Sequence, residues 1–307
     1  GGGAAGIAGI GASVGVNKIY NTVNSFIGNG STINTTDGDL SVRALSNEIV
    51  DTLAVVVGGA GVALNGGFVN TTIGKNTDNT PEYVLSEEDA KVYDTALKQL
   101  DESLSISRKE KEKANENYKN NSGLNSENTL DLFAKSKNAE SSIKTSALLD
   151  TTSAFVDSDT NLNTRNLTIL AQNANDLNIN VTGASIGGAA VGVASGVSNV
   201  YTTTNAFVKN NVNVNTTEQI DIKASSIDNQ NILANSATGG VASINSNKKT
   251  NANIVASTIL NATNDLNIQA VSLGNVTSKV DGLGVSGLTV GVMDAEALIQ
   301  GQTKIYI

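Results

Sequence analysis

The 307-residue chain contains no histidine, no cysteine and no tryptophan, and only one proline (Pro81) and one methionine (Met293). Each absence closes a class of chemistry. Without cysteine there are no disulfides, no thiolate metal centre and no thiol nucleophile. Without histidine the chain lacks the side chain best suited to proton transfer near neutral pH, and the commonest metal ligand. Aromatic residues make up 4%, so large rings cannot dominate a core. Positive charge is also scarce: 20 basic residues stand against 29 acidic ones, a net charge of −9. A nucleic-acid partner would call for a basic surface to neutralise phosphates, so none is expected. No apolar run reaches the about 20 residues of a membrane-spanning helix, and no signal peptide is visible. The chain opens without Met and stops in a strand-like pattern at Lys304–Ile307, so it reads as a piece of a longer protein.

What the chain has in abundance is asparagine, threonine and glycine, at 41, 30 and 30 residues, a third of the total. These residues fall into internal repeats. One motif occurs four times, as Asp39-Leu40-Ser41-Val42-Arg43-Ala44, Asn166–Ala171, Gln219–Ala224 and Asp265–Ala270. Apolar and mostly polar positions alternate in every copy, the period of a strand with one buried face. A second motif precedes each copy by 12 to 14 residues: Phe26-Ile27, Phe155-Val156, Phe207-Val208 and the weaker Asn253-Ile254. An apolar position lies between the two, at Ile33, Leu162, Val212 or Val214, and Ile259. A Gly/Ala/Val-rich element completes the unit at Gly6–Val16, Val57–Val69, Ile186–Val197, briefly Gly239–Ile244, and Gly282–Val292.

The whole unit is 46–53 residues long. Three short strands about seven residues apart would make a coil of roughly 20 residues, so each unit is expected to hold two coils or slightly more. Such coils stack into a parallel β-solenoid, each burying its apolar row against the next. Asparagine and threonine form side-chain ladders along parallel strands. Asparagine and glycine also tolerate the left-handed backbone of tight corners.

Residues 75–150 break the pattern, with 26 charged residues, eleven basic and fifteen acidic. Here the spacing turns helical. Tyr93, Leu97, Leu100 and Leu104 fall on one helix face, and Ser86 with Asp89 resembles a capping box. A second short helix over about 126–138 would carry Leu130 and Phe133. Ser146–Val156 aligns without gaps to Ser198–Val208, which marks where the repeat resumes. The expected organisation is therefore β coils over 1–74, an α-helical hairpin inserted at 75–145, and the same coils continuing over 146–307. Tyr93, Leu97, Leu100, Leu104, Leu130 and Phe133 are the candidate interaction residues, since insertions in repeat proteins often mark a binding face.

Gly11-Ala-Ser-Val-Gly-Val-Asn-Lys-Ile-Tyr-Asn-Thr-Val-Asn-Ser-Phe-Ile-Gly28, followed by Asp39–Ala44 and echoed at Gly187–Ala224, resembles the repeats of large filamentous adhesins, with the fusobacterial leukotoxin family the nearest in pattern. The resemblance covers the chain outside 75–150. It implies a right-handed parallel β-helix, export through an outer-membrane secretion partner, and a filament at the cell surface of a Gram-negative bacterium or released from it. A host-cell surface protein or glycan would be the partner, and end-to-end self-association of the filament segment is expected. The family implies no catalytic residues and no cofactor.

Carboxylates carry the competing reading, a β-helix carbohydrate-active enzyme of the lyase or hydrolase kind. Asp37 with Asp39, Asp157 with Asp159, and Asp221 are its candidates, because glycosidases set two carboxylates across the scissile bond. Asp and Asn recur beside Leu40 and Leu266, though, as corner residues do. Asp157-Ser-Asp159-Thr-Asn161 superficially resembles the start of a calcium loop but lacks the later Gly and Glu, so no metal is expected. A membrane-active toxin module is the third class.

Overall fold

The computed structural model describes residues 5–74, 150–236, 239–254, 257–282, 285–286 and 292–307. These residues form twelve strands and no helix. They are β1 (Ala5–Ile19), β2 (Thr22–Ile27), β3 (Thr32–Gly74), β4 (Asp150–Val156), β5 (Asn161–Val208), β6 (Asn213–Thr216), β7 (Gln219–Ser236), β8 (Gly239–Ile254), β9 (Ile259–Ala262), β10 (Asp265–Gly282), β11 (Val285–Ser286) and β12 (Val292–Tyr306). All belong to one sheet, and every pairing is parallel.

The register follows the sequence repeat. Leu40 lies beside Leu167, Leu167 beside Ile220 and Ile220 beside Leu266, so the four copies of the first motif sit side by side. Phe26, Phe155 and Phe207 line up in the same way, with Asn253 and then Tyr306 continuing the column. Outside the short β11, which pairs with β5 two repeats away, each paired residue lies beside its counterpart one whole repeat away: Ala5 with Gly59, Asn161 with Asn213, Gln219 with Asp265. A coil of about 20 residues would pair residues about 20 apart, and no described pair does so. The long β3 and β5 explain why: the 46–54-residue unit makes a single circuit, with two long arms joined by turns, rather than two small coils.

The arms face each other across the core. Asn17 donates to Thr52 at 2.9 Å, Asn21 to Ser46 at 3.1 Å, and Ser198 to Gln230 at 2.6 Å. The residues of one arm therefore run in the opposite order to those they face. The arms turn sharply at Gly183, where an added Cβ would collide with the Val193 backbone. At the other end, Gly30, Asp159, Asn211 and Ser257 all have positive φ, between 57° and 71°. These four are equivalent positions in successive repeats, and each makes the same left-handed corner that Gly, Asn and Asp accept most readily.

Burial follows the period-two pattern. Val42, Leu167, Ile169, Ile220 and Ile222 are buried, and Ser41, Lys223 and Gln269 are exposed. Leu40 and Ile268 are only partly covered, and Leu266 is 44% exposed against the expected burial. These residues lie on the first and last strands of their row, β3 and β10, each covered by a neighbour on one side only. The apolar position of the fourth repeat is Leu260, which pairs with Val214 and packs on the core, whereas Ile259 is 55% exposed. A one-residue shift along a strand exchanges inside for outside.

The register is continuous across the break in the described residues. Gly74 pairs with Tyr201 and Asp150 with Thr202, so the strand that stops at Gly74 resumes at Asp150 beside consecutive partners. Residues 75–149, and with them the expected helical hairpin, lie outside the described residues.

Candidate interaction surface

Tyr93, Leu97, Leu100, Leu104, Leu130 and Phe133 fall in that undescribed stretch, so the described surface is the flank of the sheet. Its polar residues form ladders, because parallel in-register pairing repeats each side chain at the strand spacing. Asn261 donates to Asn215 at 2.8 Å, and Asn215 donates to Asn163 at 3.2 Å. Asn251 donates to Asn205 at 3.0 Å, and Asn231 reaches Asn178 at 3.2 Å, which in turn reaches Asp51.

Beside the left-handed corner runs an outward aromatic column. The Phe26 and Phe155 rings stack 5.1 Å apart at 8°, and Phe155 and Phe207 stack 4.7 Å apart at 6°. The phase of the strand sends Ile27, Val156 and Val208 inward and leaves the rings outside. Lys209 lies 4.9 Å above the Phe155 ring and pairs with Asp157 at 3.1 Å.

Four carboxylates singled out in the sequence, Asp39, Asp157, Asp159 and Asp221, are engaged in this scaffold. Asp39 accepts two hydrogen bonds from the Arg165 guanidinium, at 2.9 and 3.0 Å, and one from Asn166 at 2.9 Å. Those bonds hold its carboxyl below the usual carboxylate range. Asp157 is lowered too, first by the Ser158 backbone N–H and then by Lys209. Asp159 accepts from Asn211 at 2.6 Å and Asn29 at 3.3 Å, tying three corners together. Asp221 takes Gln219 at 2.7 Å and Asn267 at 3.0 Å. A glycosidase acid needs the opposite shift, a carboxyl kept protonated near neutral pH. Among the described residues no group of three or more Asp and Glu side chains is placed to hold a metal.

The sequence reading missed a polar band inside the core. The inward phase that begins Val42, Ala44 continues with Ser46 and Glu48 before returning to Val50, and the next repeats place Asn173, Asn175 and then Ser226, Asp228 in the same columns, with Gln230 beside Leu177 in the Val50 column. Glu48, 5% exposed, accepts from Ser46, from Asn21 at 3.2 Å and from Asn173 at 3.2 Å. Lys248, 2% exposed, donates to the Leu273 carbonyl, and burial pulls its ammonium below the usual lysine range against the opposing pull of Asp228.

No family model, curated protein or solved structure matches this chain.

Proposed function

We propose that the chain is a non-catalytic structural segment of a large bacterial filamentous adhesin or toxin, secreted or held at the cell surface. On this reading the fold is a right-handed parallel β-helix with one turn per repeat. The interruption after Gly74 displays a helical element, over 75–145, to a host-cell surface protein or glycan. An outer-membrane secretion partner exports the parent protein, and the segment's open ends associate with like segments.

The observation that carries this reading is the register: four sequence repeats lie side by side in parallel, each apolar row continuing the last. Repetition of that kind builds length and a regular flank, the property a filament needs. The carboxylates support it as well, since Asp39, bonded to Arg165, and Asp157, bonded to the Ser158 backbone N–H and to Lys209, serve the corners and ladders. The break between Gly74 and Asp150 leaves the strand register undisturbed, the two residues lying beside the consecutive Tyr201 and Thr202.

The test is binding of the chain to glycan arrays and to host cells, compared with a variant in which a short Gly/Ser turn replaces 75–145. Loss of binding with the β circular-dichroism signal preserved is the expected result. Equal binding by both proteins would move the adhesive surface to the flank. Turnover of a polysaccharide, or leakage from liposomes, would overturn the non-catalytic, adhesive reading.

A further inference from the structure

The polar band inside the core has an unusual composition for a buried layer. On one arm its side chains are Thr152, Thr202, Thr204 and Thr250, exposed by 0%, 3%, 0% and 0%. On the facing arm are Asn175 at 1% and Ser226 at 0%. The facing order is set by the hydrogen bonds from Asn21 to Ser46 and Glu48 and from Ser198 to Gln230, the first at the level of Thr202 and the second two inward columns to one side of it. The Oγ1 atoms of all four threonines, the Ser226 Oγ, and both the Oδ1 and Nδ2 of Asn175 have no hydrogen-bond partner among the described residues.

Seven such atoms in one stripe is not an ordinary packing defect. Native interiors leave few buried polar groups unbonded, because each costs about 1–3 kcal/mol. The stripe also carries smaller side chains than the column beside it. The neighbouring column is filled by Val50, Ile73, Leu177 and Val200, whereas the stripe holds threonine on one arm and asparagine and serine on the other. Hydroxyls and amides gathered in one buried stripe without direct bonds are the partners an ordered water needs, two to four per molecule.

We propose that this stripe is a hydration site, binding a file of buried water molecules that runs along the interior from repeat to repeat. Thr152 and Asn175 enclose it in the second repeat, Thr202, Thr204 and Ser226 in the third, and Thr250 in the fourth. Each water accepts from Asn175 Nδ2 or a hydroxyl and donates to Asn175 Oδ1 or a threonine oxygen, so the band between the apolar clusters is bonded throughout. Glu48 at one end and Lys248 at the other close the file with charged groups.

Valine has the shape of threonine without the hydroxyl, which makes the proposal testable in the whole chain. If the hydroxyls bind water, Thr204→Val and Thr250→Val each strand a water or leave its other partners unbonded, and each lowers the Tm. The outward Thr203→Val is the control and leaves Tm nearly unchanged. If the hydroxyls are simply unbonded, removing them relieves a cost, and Tm rises. Oxygen-17 relaxation dispersion on the folded chain supplies the second measurement. The proposal expects long-lived internal water in the wild type and less of it in Thr204→Val. A rise in Tm for Thr204→Val, or a wild type without slowly exchanging water, overturns it.

Discussion

Ile222 is fully buried between Ile169 on one side and Ile268 on the other, in a column that alternates with outward Lys223 and Asp221. Ile222→Asp puts a carboxylate into that column without a cation, and should cost about 4 kcal/mol or more. Thermal melting checks this, and an unchanged Tm would mean that the strand runs in the opposite phase. The aromatic column makes a graded prediction. Phe155 stacks on both Phe26 and Phe207, whereas Phe26 stacks on one ring only. Phe155→Ala should therefore destabilise more than Phe26→Ala, by roughly 1 kcal/mol for the additional ring pair. The Asp39–Arg165 pair sets a pH dependence. A carboxyl whose folded pKa is depressed contributes stability that is present above its unfolded pKa and is lost as pH falls through the folded value. The Tm gap between wild type and Asp39→Asn should accordingly be open at neutral pH and close in acid below the ordinary aspartate range, with the size kept small by solvent at this exposed site.

At the scale of elements, the alternation of Leu40, Val42 and Ala44 was enough to read the buried row, and the recurrence of Phe26, Phe155 and Phe207 was enough to align the repeats. Two features were harder to read. The size of the circuit follows from how far the arms run before they turn, and the turn at Gly183 is marked only by a close backbone approach that no local sequence signal announces. The polar band was hidden because Ser46 and Glu48 look like surface residues. The clue lay in the phase: Val50 resumes the apolar row in step with Val42 and Ala44, which places Ser46 and Glu48 inside. Similarly, Ile259 and Leu260 are both apolar neighbours, and only pairing with Val214 decides which turns inward. The match of Ser146–Val156 to Ser198–Val208 in the sequence has the same offset as the register from Asp150 to Val156. It leads to a strict prediction. Joining Gly74 directly to Asp150 should restore one unbroken strand beside Tyr201 and Thr202, with the β circular-dichroism signal and cooperative melting retained. A chain that no longer folds would show that 75–149 contributes to the core.

For the molecule as a whole, parallel pairing at a spacing of one full repeat makes the chain a short stack with a long circuit. Its end strands carry exposed apolar side chains, among them Leu266, Leu273, Leu298 and Ile305 at 40–57% exposure. Unpaired edges of this kind favour association, so sedimentation should show the species growing with concentration. The central claim, one circuit per repeat, has a more direct test. Arg43 and Gln269 are both outward and lie in one column, separated by Leu170 and Lys223. Three strand spacings place their backbones about 14 Å apart. Coils of about 20 residues would instead put roughly seven layers between them, or about 35 Å by the same spacing. The chain has no native cysteine, so spin labels at Arg43→Cys and Gln269→Cys report this one separation by electron–electron resonance. The account predicts a narrow distribution at the short end of the accessible range, and a distribution centred near or beyond 35 Å would contradict it.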